Sequence, residues 1–174
     1  MARKVKCQIC KQGGTNEDFY KVTVGNRNFY YCNQAEYEKH EQDKIIRDKI
    51  FRKIAVIWRL RSFEMLPPIM KKEINKLADI YNYETVKIAI ERAEQDLTYW
   101  MNVENKFTSD YNKTTYFIAI LKGSYMNSAF EEYNHKQNTQ KEIEQEVNKE
   151  EINNLNNIDT IVKTPTSRNI LDFL

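Results

Sequence analysis

Three thiols open this chain: Cys7 and Cys10, two residues apart, and Cys32, with His40 a little further on. Thiolate and imidazole are the ligand types that a tetrahedral metal site draws on, and a C-x2-C spacing lets one tight turn aim two sulfurs at one ion. The chemistry this implies is a closed, structural zinc site rather than a catalytic one. About forty residues cannot bury enough apolar surface to fold unaided, so a metal cross-link has physical work to do here. Three small buried hydrophobes would explain neither the spacing nor the clustering.

The fourth ligand is open among His40, Glu36 and water. A helix beginning at Asn33 carries His40 eight residues beyond Cys32, roughly 12 Å along the axis. A later helix start would bring His40 in, and the expected ligand set is then Cys7, Cys10, Cys32 and His40. Otherwise Glu36 or water completes the site, and His40 is an ordinary histidine on a helix surface.

The elements that must hold these ligands can be read locally. Phe19–Val24 and Arg27–Tyr31 flank Gly25-Asn26, which predicts a β-hairpin with a two-residue turn. Asn33 followed by Glu36 predicts a capped helix start. Ile46, Ile50, Ile54, Ile57 and Trp58 recur at helical spacing, extending that helix until Pro67-Pro68 stops it. A second helix fits Met70, Ile74, Leu77 and Tyr81. A third fits Val86, Ile90, Ala93, Leu97 and Trp100-Met101, opened by Glu84. Residues 104–112 read as a loop, and a fourth helix carries Phe117, Ile120, Leu121, Ser124 and Ala129.

After Tyr133 the composition shifts to Asn, Gln, Glu and Lys, which predicts a largely disordered tail with possible nascent helix. The chain is therefore expected to be mainly α. It divides into a zinc-binding knuckle and hairpin module (1–43), a helical domain (44–133) and a low-complexity acidic tail (134–174). The tail ends in an apolar cluster, Ile170, Leu171, Phe173 and Leu174, suited to docking on a partner.

Charge is balanced overall, at a net +2, but not along the chain. Lys44 to Lys72 holds nine Lys/Arg against two acids, whereas Glu131 to the C-terminus holds nine acids against five bases. Arg47, Lys49, Arg52, Lys53 and Arg59 are the candidate contacts to phosphates, with Phe51, Trp58 and Tyr30 or Tyr31 as candidate stacking partners for unpaired bases. The plainer alternative makes the aromatics core and the cations a solvated face, with Trp58 favoured as core.

No phosphate-cradling glycine loop, nucleophile elbow or compact set of carboxylates and histidines is visible, so no enzyme is expected. No small-molecule substrate is evident either. An odd number of cysteines without a secretion signal points to a reducing cytoplasm, and no stretch is apolar enough to span a bilayer.

Two resemblances add to this. The knuckle followed by Tyr30-Tyr31-Cys32 resembles treble-clef zinc fingers over residues 5–43, although their usual second ligand pair is missing. Ile80-Tyr81-x-Tyr83-Glu84-x-Val86-x-x-Ala89-Ile90-x-x-Ala93, with Tyr116-Phe117-Ile118-Ala119-Ile120-Leu121-Lys122, resembles the helical domain of DnaD-like primosome proteins and phage replisome organisers over residues 63–133. That family's Tyr-Ile start is Tyr116-Phe117 here, no Trp follows Leu121, and the winged-helix domain is absent. The second resemblance implies binding of single-stranded DNA and of a replisome partner such as a helicase or its loader. The terminal Leu171-Asp-Phe-Leu174 loosely resembles sliding-clamp-binding peptides, without their Gln. The alternative expectation is a small phage-type interaction protein that binds and redirects a host enzyme without touching DNA.

Overall fold

In a computed structural model, which describes residues 2–103 and 107–162 (with 144, 148 and 150–162 as backbone alone), two hairpins precede six helices. The strands are β1 (Lys4–Lys6), β2 (Gly13–Thr15), β3 (Tyr20–Val24) and β4 (Arg27–Tyr31). The helices are α1 (Gln34–Ile57), α2 (Pro68–Tyr81), α3 (Tyr83–Arg92), α4 (Glu94–Met101), α5 (Asp110–Ile120) and α6 (Met126–Val162). The fold is mainly α with small antiparallel hairpins at its N-terminal end, as the sequence predicts.

Both hairpins are antiparallel, β1 with β2 and β3 with β4. The second turns on Gly25, whose φ of 59° at the first central position suits a glycine in a primed two-residue turn. The first encloses the knuckle, with the Cys7 N–H donating to the Gln12 carbonyl at 2.9 Å. Its strands are three residues each and lack an apolar alternation, so periodicity gives no sign of them.

Asn33 caps α1, its side chain accepting from the Glu36 N–H at 2.8 Å. The N-terminal turns of α1 serve the hairpins, and its second half buries Ile50, Phe51, Ile54, Ala55 and Ile57. The boundary expected at 43/44 thus falls inside one continuous helix. Past Trp58 the chain closes α1 with a Schellman motif: Arg59 N–H bonds the Val56 carbonyl at 3.0 Å and Leu60 N–H bonds that of Ala55 at 2.8 Å. Arg59 takes the left-handed φ of 56° usually left to glycine.

Around this half-helix pack Met70, Ile74 and Leu77 of α2, Val86, Ala89 and Ile90 of α3, Leu97 of α4, and Phe117 of α5. Burying each of the larger of these side chains contributes about 1.5–3 kcal/mol, which makes this cluster the main source of cohesion. Trp58 is core, as favoured, meeting Phe117 edge-on at 6.4 Å, with Lys113 Nζ 4.5 Å from its ring centre. Asn82 alone joins α2 to α3, its side chain accepting from the Thr85 N–H at 2.9 Å. The single expected helix over 84–101 is broken at Ala93, where no Gly or Pro marks the interruption. Asn102 Nδ2 donates to the Ile57 carbonyl at 2.9 Å, fastening the end of α4 to that of α1.

The chain divides after Ala129 into two units. In the second, the backbone is helical through Val162, in the stretch whose composition predicts a tail with nascent helix. Ile143 and Val147 stay exposed there, and Lys136 pairs with Glu132 at 2.6 Å one turn apart. The terminal motif Ile170, Leu171, Phe173 and Leu174 lies outside the described residues. Among those described, no helix is long and apolar enough to cross a membrane.

Candidate metal centre

The knuckle, the exit of β4 and the first turn of α1 meet at one point. Cys7 and Cys10 come from the loop between β1 and β2, Cys32 from the end of β4, and Glu36 from the third residue of α1. One ligand atom from each lies within 4.8 Å of all the others, a spacing that could hold a metal ion. Cys7 is buried, Cys10 exposed, and Cys32 and Glu36 half-buried, so the cluster opens to solvent on the Cys10 side.

Local backbone geometry explains how four residues from three elements converge. Lys11, just after the second knuckle cysteine, has a φ of 64°, which folds the chain back toward β2. Gln8 N–H bonds the Tyr30 carbonyl at 2.8 Å, tying the knuckle to β4. Glu36 turns its carboxylate back over the helix start, and its Oε2 accepts from the Cys32 N–H at 2.8 Å. The capping-box pair read from sequence is present, but its acid points into the thiol cluster.

The side-chain contacts are close. Cys10 and Cys32 Sγ are 3.3 Å apart, and the Cys7 thiol donates to Glu36 Oε2 at 3.4 Å. Ile9 N–H donates to Cys7 Sγ at 3.3 Å, a bond that favours thiolate. Burial pushes the Cys7 thiol up, but the backbone N–H groups of Cys10 and Ile9, with the Cys10 and Cys32 thiols, outweigh it, and its pKa ends below the ordinary value. Cys32 is pushed up to about 12, first by its contact with Cys10, then by burial and by Cys7 and Glu36. The Cys32 N–H is the main cause holding the Glu36 carboxyl below its usual range. Four potential anions sharing one small volume form an electrostatic arrangement that a cation relieves.

Of the candidates for the fourth position, Glu36 is in the cluster and His40 is outside it. With α1 beginning at Gln34, His40 lies one turn beyond Glu36, and its ring sits 6.4 Å from that of Tyr31. There it extends an aromatic group, Tyr20 and Tyr31 against Tyr37 at 5.7 and 4.9 Å, that packs the second hairpin onto α1. Among the described residues, the group of potential ligands is thus Cys7, Cys10, Cys32 and Glu36, without His40.

The candidate nucleic-acid contacts are not all on one face. Lys49, Arg52 and Arg59 are exposed, and Lys53 is half-buried and pairs with Glu94 of α4 at 2.5 Å. Arg47 is half-buried, with its Nε buried and its guanidinium 3.5 Å from Asp48. It also lies near enough to Tyr83 to act on that phenol, whose pKa burial raises and Arg47 lowers. Phe51, Trp58 and Tyr31 are buried and offer no face to a base, whereas Tyr30 is half-buried. Arg61, which the sequence reading passed over, is exposed beside Arg52 and Phe63. Comparison with known proteins finds no matching family model, no matching curated protein and no matching solved structure.

Proposed function

We propose that this chain is a non-enzymatic, phage-type accessory protein of DNA replication, whose zinc-held N-terminal module and basic first helix contact single-stranded DNA while the helical domain recruits a replisome partner. The observation that carries it is α1 itself. One helix supplies Glu36 to the thiol cluster, buries Ile50 and Ile54 in the bundle and turns Lys49 and Arg52 outward. A metal bound at its first turn would therefore fix the bearing of its cationic face.

Zinc suits the donor set. Tetrahedral zinc, with bonds of about 2.3 Å to sulfur and about 2.0–2.2 Å to a carboxylate, sets ligand edges near 3.5–3.8 Å. The contacts of 3.3 and 3.4 Å lie close to those edges. With four protein ligands, the ion would be structural. The knuckle, hairpin and helix order supports the treble-clef reading. The replication part rests on the motif runs in Ile80–Ala93 and Tyr116–Lys122 alone.

The test is salt-dependent binding to single-stranded DNA by the metal-loaded full chain. A steep loss of affinity between low and moderate salt, removed by Lys49→Glu with Arg52→Glu, supports the proposal. Binding insensitive to that double change would take α1 out of it.

A second reading, a protein that binds a host enzyme without DNA, is favoured by an aromatic patch on α4 and α5. Tyr99 is 66% exposed and packs edge-on against Trp100, which in turn contacts Tyr116. Absence of DNA binding, with a host enzyme that the wild type retains but Tyr99→Ala with Trp100→Ala loses, would select it.

A further inference from the structure

Arg52 holds its guanidinium carbon 5.0 Å from the ring centre of Phe63, so a flat cation lies over an aromatic face. Beside this pair is a cleft of about 520 Å³, between the last turns of α1 and the short 3-10 turn Phe63–Met65. Val56, Leu60, Arg61 and Glu64 complete its working surface. Its volume lies in the roughly 300–1,000 Å³ range of small-ligand pockets.

We infer that this cleft seats one nucleobase of a single strand, stacked on the Arg52–Phe63 pair, with its phosphate beside Arg61. The inference rests on the single-stranded DNA reading above and names the place where a base is held. Val56, 68% exposed, gives the base an apolar edge to lie against. Glu64 is the one acid of the lining against two arginines, so the cleft stays net cationic and admits a polyanion. Guanidinium planes and aromatic rings are the platforms on which unpaired bases stack.

The other flank of the same helical turn extends the track. Lys49 and Lys53 of α1 and Lys87 of α3, with Glu91, ring a smaller cleft of about 160 Å³, floored by Ile50 and Ile90; Lys53 pairs with Glu94 and Lys87 with Glu84. Arg52 and Lys53 are successive residues, so a strand laid across this turn meets the stacking pair on one side and lysines on the other. An acidic peptide would satisfy the cations but leave the stacking platform unused, which favours a ligand with both phosphates and ring faces.

Anisotropy titrations of the metal-loaded full chain separate the terms, using oligo(dT) and an abasic deoxyribose-phosphate oligomer of the same length and charge. The wild type is expected to bind oligo(dT) about tenfold more tightly, the factor that about 1.4 kcal/mol of stacking gives. Phe63→Leu keeps apolar bulk against the core and Arg52→Lys keeps the charge. Each should bring that ratio near one, and Phe63→Leu, which removes no charge, should leave the abasic strand's affinity within about twofold. Equal wild-type affinity for both strands, or a ratio that survives both variants, overturns the base seat while leaving phosphate-driven binding intact. Binding of neither strand overturns the functional reading along with it. Thymidine monophosphate that displaces the strand at equal nucleotide concentration would make this a pocket for free nucleotides and overturn the assignment to a strand.

Discussion

The hairpin region and the helical bundle share α1 but cohere by different physics. Apart from Cys7 and Tyr31, every buried apolar residue described lies between Ile50 and Ala129. The bundle is held by area removed from water. The hairpins have two short ladders, a tyrosine cluster and, with the first turn of α1, four side chains placed where they could hold a metal ion. A segment so poor in apolar burial needs a cross-link, whereas the bundle does not, and the two should therefore fail separately.

Metal removal is the strongest test of that contrast. Chelation, or Cys7→Ser, should strip amide protection from β1 to β4 while α2, α3 and α5 keep theirs. Hydrogen exchange followed by mass spectrometry reads both regions in one sample. Hairpins that stay protected without metal would show that the ladders and tyrosines suffice. The reverse lesion is Phe117→Ala, which should cost the bundle about 3–5 kcal/mol through a cavity beside Trp58. Zinc stoichiometry of the remaining folded protein should be unchanged, and a parallel loss of metal would mean the two regions unfold as one.

The fourth ligand sharpens the comparison at the level of one helical turn. Glu36→Gln should weaken metal binding by at least the 10–100-fold that loss of a ligand's outer partner typically brings. His40→Ala should leave affinity unchanged and only loosen the packing against Tyr31. Competition with a zinc chelator measures both, and equal losses would return His40 to the site.

How much of this is legible in the sequence follows the same divide. Gly25-Asn26, the cysteine spacing and the Asn33 cap are strong local signals, and each stands where the residues placed it. The buried stripe of α1 follows from its period. What periodicity misses is set by contacts distant in sequence. The direction of Glu36 depends on where β4 ends, and the surroundings of Arg47 depend on Tyr83 of α3. The break at Ala93 carries no punctuating residue, and the short strands β1 and β2 are fixed by the knuckle they enclose rather than by their own side chains.

Three described residues hold a positive φ without being glycine: Asn82 between α2 and α3, and, one on each side of the contrast, Lys11 in the knuckle and Arg59 at the end of α1. For an L side chain this conformation costs roughly 1–2 kcal/mol, partly offset by the larger chain entropy a glycine gives up on folding. Arg59→Gly should therefore raise the bundle's stability by up to about 1 kcal/mol, seen as a higher denaturant midpoint with unchanged slope. Lys11→Gly should leave that midpoint alone and slow metal release instead, because its strain sits in the loop that presents Cys7 and Cys10. If Lys11→Gly moved the bundle's midpoint as far as Arg59→Gly does, strain in the knuckle would be reaching the bundle through α1, and the two regions would not be separately held.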